Sequence, residues 1–227
     1  IGYNNVSISG DTRFDRVSQI LERDNTLGFM SNFKGDKNCL VAGSTWPEDE
    51  GILASYINSS NKNIKYVLAP HNIKEKHLEN LTSSLTKKSI LYSQIGETDL
   101  SDYEVLIVDT IGLLTKIYSY ADIAYVGGGF TTGLHNTLEP AVFGIPVVIG
   151  PHYEGFKEAQ DLVALQGVLP ISNVTSLVEI LNRLWDDPGY ATKTGNICKT
   201  YVVNKKGATS DIMSYIDKLL SSFCKPS

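Results

Sequence analysis

Short apolar runs rich in β-branched residues alternate with longer helical patterns along almost the whole chain. The strand candidates are "NVSIS" (Asn5 to Ser9), "CLVAG" (Cys39 to Gly43), "IKYVLA" (Ile64 to Ala69) and "SILYS" (Ser89 to Ser93). Further on come "EVLIVD" (Glu104 to Asp109), "IAYVG" (Ile123 to Gly127), "PVVIG" (Pro146 to Gly150) and "GVLPI" (Gly167 to Ile171). Several are continuously apolar rather than alternating, as expected of parallel strands covered on both faces.

The intervening segments carry helix signals. In "STWPEDE", Thr45 and Glu48 have capping-box spacing, with Pro47 in the first turn. "TSLVEILNRLW" repeats the device with Ser176 and Glu179, and Leu177, Ile180, Leu181 and Leu184 then make one apolar face. "GLLTKIYSYAD" and "EGFKEAQDLVALQG" read as helices ended by Asp122 and Gly167, and from Val174 onward the pattern is almost purely helical. No repeat, low-complexity tract or long linker interrupts the chain. It therefore reads as one α/β domain over 1–227, a Rossmann-like parallel sheet flanked by helices, with the helices from about 174 packed on it. Ligands of such sheets sit at the carboxyl ends of the strands, so site residues are sought on the loops that leave them.

Composition narrows the classes. At 227 residues, 42% hydrophobic and 20% charged, the chain has the make-up of an ordinary globular protein with a sizeable core. A net charge of −5 with scattered Lys and Arg argues against nucleic-acid binding. Cys39, Cys198 and Cys224 are widely spaced and form neither a disulfide framework nor a metal motif. N-x-S/T triplets begin at Asn5, Asn58, Asn80 and Asn173 and read as chance in an Asn-rich chain. No run reaches the ~18 apolar residues of a membrane span. The chain opens without Met inside a strand-like run, which reads as a piece of something longer.

Four strand exits carry candidate chemistry. In "AGSTWPEDE", Gly43, Ser44 and Thr45 precede a helix whose free amides suit an anion, although a well-capped helix explains them equally. In "LAPHNIKEKH", Pro70 stiffens a strand exit and His71 follows it; the bland alternative is a surface histidine. In "VDTIGLLTKIY", Gly112 permits close backbone approach or merely eases a turn. The fourth is "VGGGFTTGLHNTLEP". Gly127 to Gly129 leave a strand, Thr131, Thr132 and Gly133 continue the loop, and Asn136 stands as a cap with Glu139 three positions on. The third glycine of G-x-G-x-x-G is missing, so a nicotinamide or flavin cofactor is not expected. Pro140 fixes the helix entry behind Glu139. A carboxylate held there can cap the helix or accept two hydrogen bonds from a vicinal diol such as ribose, and both readings stay open.

The stretch "DTIGLLTKIYSYADIAYVGGGFTTGLHNTLEPAVFGIPVVIGPHYEGFKEA" resembles the C-terminal donor-binding domain of the 3-deoxy-D-manno-octulosonic acid (Kdo) transferases, GT-B glycosyltransferases of lipopolysaccharide assembly. "GDTRFDRV", "GSTWPEDE" and "APHNI" fall in the order the family leads one to expect. The resemblance spans essentially the whole chain and is most specific from Asp109 to Ala159. It implies a two-domain, metal-independent, inverting enzyme without a cofactor. This half would bind the CMP part of CMP-Kdo. The absent N-terminal half would bind the lipid A precursor, carry the general base and make any membrane contact, at the cytoplasmic face of the bacterial inner membrane. No catalytic residue is then expected in this chain, which would be soluble and inactive alone. Its final helices would pack towards the missing half, leaving apolar surface exposed.

By the same resemblance, CMP contacts come from Ala69, Pro70 and His71, from Ile111, Gly112 and Leu113 (the family's D-T-M-G-E segment), and from Asn136, Thr137, Leu138 and Glu139 (its H-N-x-L-E-P motif). Glu139 would hold the ribose hydroxyls and the helix start at Asn136 would face the phosphate. Ser44, Thr45, Gly128, Gly129 and His135 are further donor contacts. Three positions depart from the pattern: Pro70 replaces an Arg before His71, Leu113 replaces a Glu, and Leu134 replaces a Gly. The missing Arg leaves an anion contact to His71 or to a lysine such as Lys157. Two other classes stay in view, a GT-B enzyme using a UDP-sugar (transferase or 2-epimerase) and a non-catalytic nucleotide-binding module.

Overall fold

Neighbouring residues of the run Asn38–Thr45 face opposite ways and are nonetheless buried on both sides. Cys39 and Val41 enter one apolar cluster, and Leu40 and Ala42 enter another. A strand without a wet face belongs in the middle of a layered sheet, and the computed structural model, which describes residues 6–131 and 133–223, places it there.

The strands are β1 (Asn38–Thr45), β2 (Ile64–Pro70), β3 (Ser89–Leu91), β4 (Val105–Ile107), β5 (Ile123–Val126), β6 (Val147–Ile149) and β7 (Val168–Pro170). They form one 7-stranded sheet in the order β3-β4-β2-β1-β5-β6-β7, and every pairing is parallel. The helices are α1 (Thr12–Ser18), α2 (Gly28–Lys34), α3 (Pro47–Ser59), α4 (Glu75–Ser84), α5 (Leu114–Ile117), α6 (Leu138–Ala141), α7 (Lys157–Ala164), α8 (Val174–Asp186), α9 (Pro188–Asn204) and α10 (Ala208–Phe223). One face of the sheet packs Leu53, Tyr56 and Ile57 of α3 with Leu177, Leu181 and Leu184 of α8. The other packs Phe14, Met30 and Phe33 with Leu138, Leu162 and Val202, from α1, α2, α6, α7 and α9. Among the described residues, no helix is long and apolar enough to cross a membrane.

The strand order positions the site. From central β1 the chain builds β2, β3 and β4 to one side, then starts again at β5 and builds β6 and β7 to the other. The carboxyl ends of β1 and β5 therefore flank the switch point where the direction of winding reverses.

Three local expectations are corrected. Val6 to Ser9 form no strand, while Asn5 lies outside the described residues. Val6 and Ile8 are 71% and 97% exposed, so among the described residues the V-S-I-S alternation buries no apolar face. At α3 the N-cap position is Trp46, and the carboxylate that bonds back to it is Asp49, whose Oδ2 accepts from Trp46 N at 2.9 Å, because Thr45 still belongs to β1. At α8 the cap is Asn173, whose Oδ1 accepts from Ser176 N at 2.9 Å, one turn before the Ser176–Glu179 pair. The apolar pattern marked both helices correctly, but several polar residues near each start could have served as the cap.

Candidate functional site

The site is built from the exits of β1, β2, β4 and β5. Ser44 adopts φ 54°, making a bulge between Gly43 and Thr45 in the register against β2. Thr45 is wholly buried and its hydroxyl donates to Glu50 Oε1 at 2.9 Å; His77 Nε2 stands 3.0 Å from Glu50 Oε2. Burial, only partly offset by His77 and Thr45, raises the Glu50 carboxyl above its ordinary value.

The switch point is closed by a carboxylate. Asp49 is fully buried. Its Oδ1 accepts from the Tyr125 hydroxyl at 2.6 Å, and its Oδ2 accepts from Gly128 N and Trp46 N, both at 2.9 Å. Tyr125 is held far above the ordinary phenol range by burial and then by the Asp49 charge, so it remains a donor. Gly127 must be glycine here, since a Cβ would lie 2.4 Å from the Ser44 carbonyl oxygen and 2.7 Å from Thr45 Cα. Gly128 has φ 91°, a left-handed value that favours glycine.

Over this floor stand three rings. Trp46 stacks on His71 with centroids 4.6 Å apart, and His71 lies 4.9 Å from His135. Trp46 Nε1 donates to His135 Nε2 at 3.1 Å, which assigns the His135 proton to Nδ1. Burial, then the neighbouring His71, lowers the His135 value, so it stays neutral. Beside the rings, Glu139 accepts from Asn136 Nδ2 at 3.1 Å and from Thr115 Oγ1 at 3.2 Å, while Asn136 Oδ1 accepts from Leu138 N at 3.1 Å. Glu139 thus ties the α6 entrance to α5. Its link to Asn136 runs through the side-chain amide, and the residue directly before α6 is Thr137, which makes no side-chain cap bond.

The candidate residues divide by exposure. His71, Ile111, Gly112 and Asn136 are exposed, Ile111 at 87%; Ser44, Leu113, His135 and Glu139 are half-buried. Ala69 and Pro70 are buried inside β2, and Thr45, Gly128, Gly129, Thr137 and Leu138 are also buried, so they form the floor of the site rather than its open face. Lys157 opens α7 and pairs with Asp161. The residues missed at the sequence level are Asp49, Trp46 and Tyr125. The one available signal was the acidic run Glu48–Asp49–Glu50 in the first turn of α3.

A parallel seven-stranded sheet wound both ways from β1, with its polar exits on one edge, defines a Rossmann-like domain of the GT-B glycosyltransferase class. The C-terminal CMP-Kdo binding domain of WaaA from Acinetobacter baumannii has this fold: TM-score 0.64 at 21% identity, covering 85% of this chain and 98% of that one. No protein-family model matches the chain. The 3-deoxy-D-manno-octulosonic acid transferase of Chlamydophila psittaci is 33% identical over 157 residues, 67% of this chain and 36% of that protein. That of Haemophilus influenzae is 28% identical over 235 residues, 97% of this chain and 53% of that protein. The chain belongs to the Kdo transferase family and matches its C-terminal domain. It spans about half the length of its Haemophilus relative or less of the others.

Proposed function

We propose that this chain is the donor-binding half of a Kdo transferase, holding CMP-Kdo while a second, N-terminal domain supplies the lipid A precursor and the general base. The observation that carries the reading is the strap at Glu139. Its carboxylate is fixed by Asn136 and Thr115 at the mouth of α6, half-buried and next to the exits of β4 and β5. A carboxylate oriented by two donors keeps lone pairs free for the two hydroxyls of a ribose. The three-ring cluster at His71 and His135 offers planar surface beside it, and Ile111 and Gly112 lie open on the β4 exit.

The reaction would be inverting and metal-independent: an acceptor hydroxyl attacks the anomeric carbon of Kdo, loses its proton to the base, and CMP departs. This half contributes binding and orientation of the donor. It would turn over no substrate alone, because the base and acceptor site belong to the other domain. Ile212, Met213, Ile216 and Leu220 line α10 with 39% to 58% exposure, which favours a covering partner on that helix. In this reading the working enzyme meets the membrane at its cytoplasmic face through the other half.

Calorimetric titration of CMP tests the assignment. CMP binds and raises Tm, and UDP does not. Replacing Glu139 by Ala removes two hydrogen bonds to a charged acceptor and weakens CMP about tenfold to a hundredfold. Equal or stronger stabilisation by UDP overturns the reading.

A further inference from the structure

In a doubly wound sheet the usual place for a ligand phosphate is the first strand-to-helix turn at the switch point, where a helix start and a glycine loop turn free amides to one spot. Here that spot is between β1 and β5, and it is filled by the protein itself. The two amides that converge there, Gly128 N–H from the glycine loop and Trp46 N–H from the α3 entrance, both donate to Asp49 Oδ2. Pro47, at the first position of α3, has no N–H to offer. A Gly127 Cβ would stand 2.9 Å from the same oxygen, so the loop is closed down on the carboxylate. Asp49 is flanked by Glu48 and Glu50, so the start of α3, which favours an anion, already carries three acidic residues.

We propose that Asp49 is a specificity-determining residue that occupies the switch-point phosphate position with an internal anion, restricting the donor to a nucleoside monophosphate sugar. This rests on the nucleotide-binding reading above. In that reading the donor is held through Glu139 and the α6 entrance, a place separate from the amides that Asp49 occupies. Trp46 and Gly128 join the two places, since Trp46 bonds His135 and a Gly128 Cβ would lie 3.0 Å from His135 Cδ2. A second phosphate finds the Gly128 and Trp46 amides already taken and meets a buried negative charge there.

Titration of CMP and of CDP into the chain, followed by calorimetry, tests this. CDP binds about tenfold or more weakly than CMP, the scale of one partly screened charge contact. Asp49→Asn keeps the shape: its Oδ1 accepts from Gly128 N and Trp46 N, and its amide donates to the Tyr125 oxygen. It removes the charge, so the ratio of the CDP to the CMP dissociation constant falls to within about threefold of unity. A merely structural role would weaken both ligands alike. Equal binding of CMP and CDP by the wild type overturns the role of Asp49 and leaves the nucleotide reading intact. A wild-type preference that Asp49→Asn leaves unchanged overturns it too. Should that variant not fold, Asp49→Ser is read by the same ratio. Binding of neither nucleotide overturns the underlying reading and this one with it.

Discussion

Replacing Gly127 by Ala adds one methyl group where the exits of β1 and β5 touch. Gly127 N donates to Gly43 O at 2.9 Å, and its carbonyl accepts from His135 N at 3.2 Å, so the residue cannot rotate away. The new Cβ would meet the Ser44 carbonyl oxygen at 2.4 Å, Thr45 Cα at 2.7 Å and Asp49 Oδ2 at 2.9 Å. Two of these atoms are backbone, so relief requires β1 and β5 to separate at their ends. Overpacking of this kind costs about 1–3 kcal/mol. The same displacement stretches the Asp49 bond to Gly128 N, worth about 1.5–3 kcal/mol for a charged acceptor. A loss of about 3 kcal/mol lowers Tm by roughly 6–12 °C in a domain of this size. The control is Gly51→Ala, in the interior of α3 with nothing within 4 Å of its Cβ position. There the helix propensity of Ala gains about 0.5–1 kcal/mol. Thermal and urea unfolding followed by circular dichroism read both. A Gly127→Ala loss under about 1 kcal/mol, or a shift of the same sign in the two variants, would refute the close approach.

Other outcomes follow from the buried charges. His135 titrates below its ordinary 6.5, because burial and His71 disfavour the cation; the stability it contributes is present above 6.5 and is lost as pH falls through the lowered value. In ¹⁵N NMR spectra the Trp46 indole N–H moves with that titration, while the Trp185 indole, bonded to the Tyr56 hydroxyl at 3.1 Å, stays still; joint movement or a His135 midpoint above 6.5 refutes the pairing. Glu50 has the opposite sense: its raised value favours the protonated form in the fold, so the stability it lends is full below 4.5 and is lost as pH rises through the raised value. Glu50→Gln therefore gains on the wild type in urea midpoints as pH rises from 4.5 through the raised value, and a constant difference refutes the burial cost. Cys39 and Cys198 are buried and their thiols are pushed up to about 12, so in a Cys224→Ser background no native thiol reacts with a disulfide reagent until the chain unfolds.

Much of the architecture was legible because it is written in local pattern. Runs such as Cys39 to Gly43 and Ile123 to Gly127 are apolar at every position, which only a strand buried on both faces tolerates, and each became a parallel strand. The helical stretch from Val174 was equally plain, since Leu177, Leu181 and Leu184 recur at helical spacing and all are buried. The same logic failed at Val6 to Ser9, where alternation was present but Val6 and Ile8 stay exposed and pair with no strand among the described residues. Strand exits mark the loops that carry the candidate residues, and Glu139 stands out there in the sequence with its two uses, cap or diol acceptor.

What the sequence determined by itself was therefore the layering, the strand-to-helix rhythm and the family likeness, because each depends on residues close together in the chain. Tertiary structure alone decided what the exits do to one another. Asp49 meets Tyr125 and Gly128 across 76 and 79 residues, and Trp46 meets His135 across 89. No local periodicity records such a pairing. It exists because parallel crossovers bring β1 and β5 side by side, and because a buried carboxylate at their ends has to take its hydrogen bonds from whichever chain segment the sheet delivers.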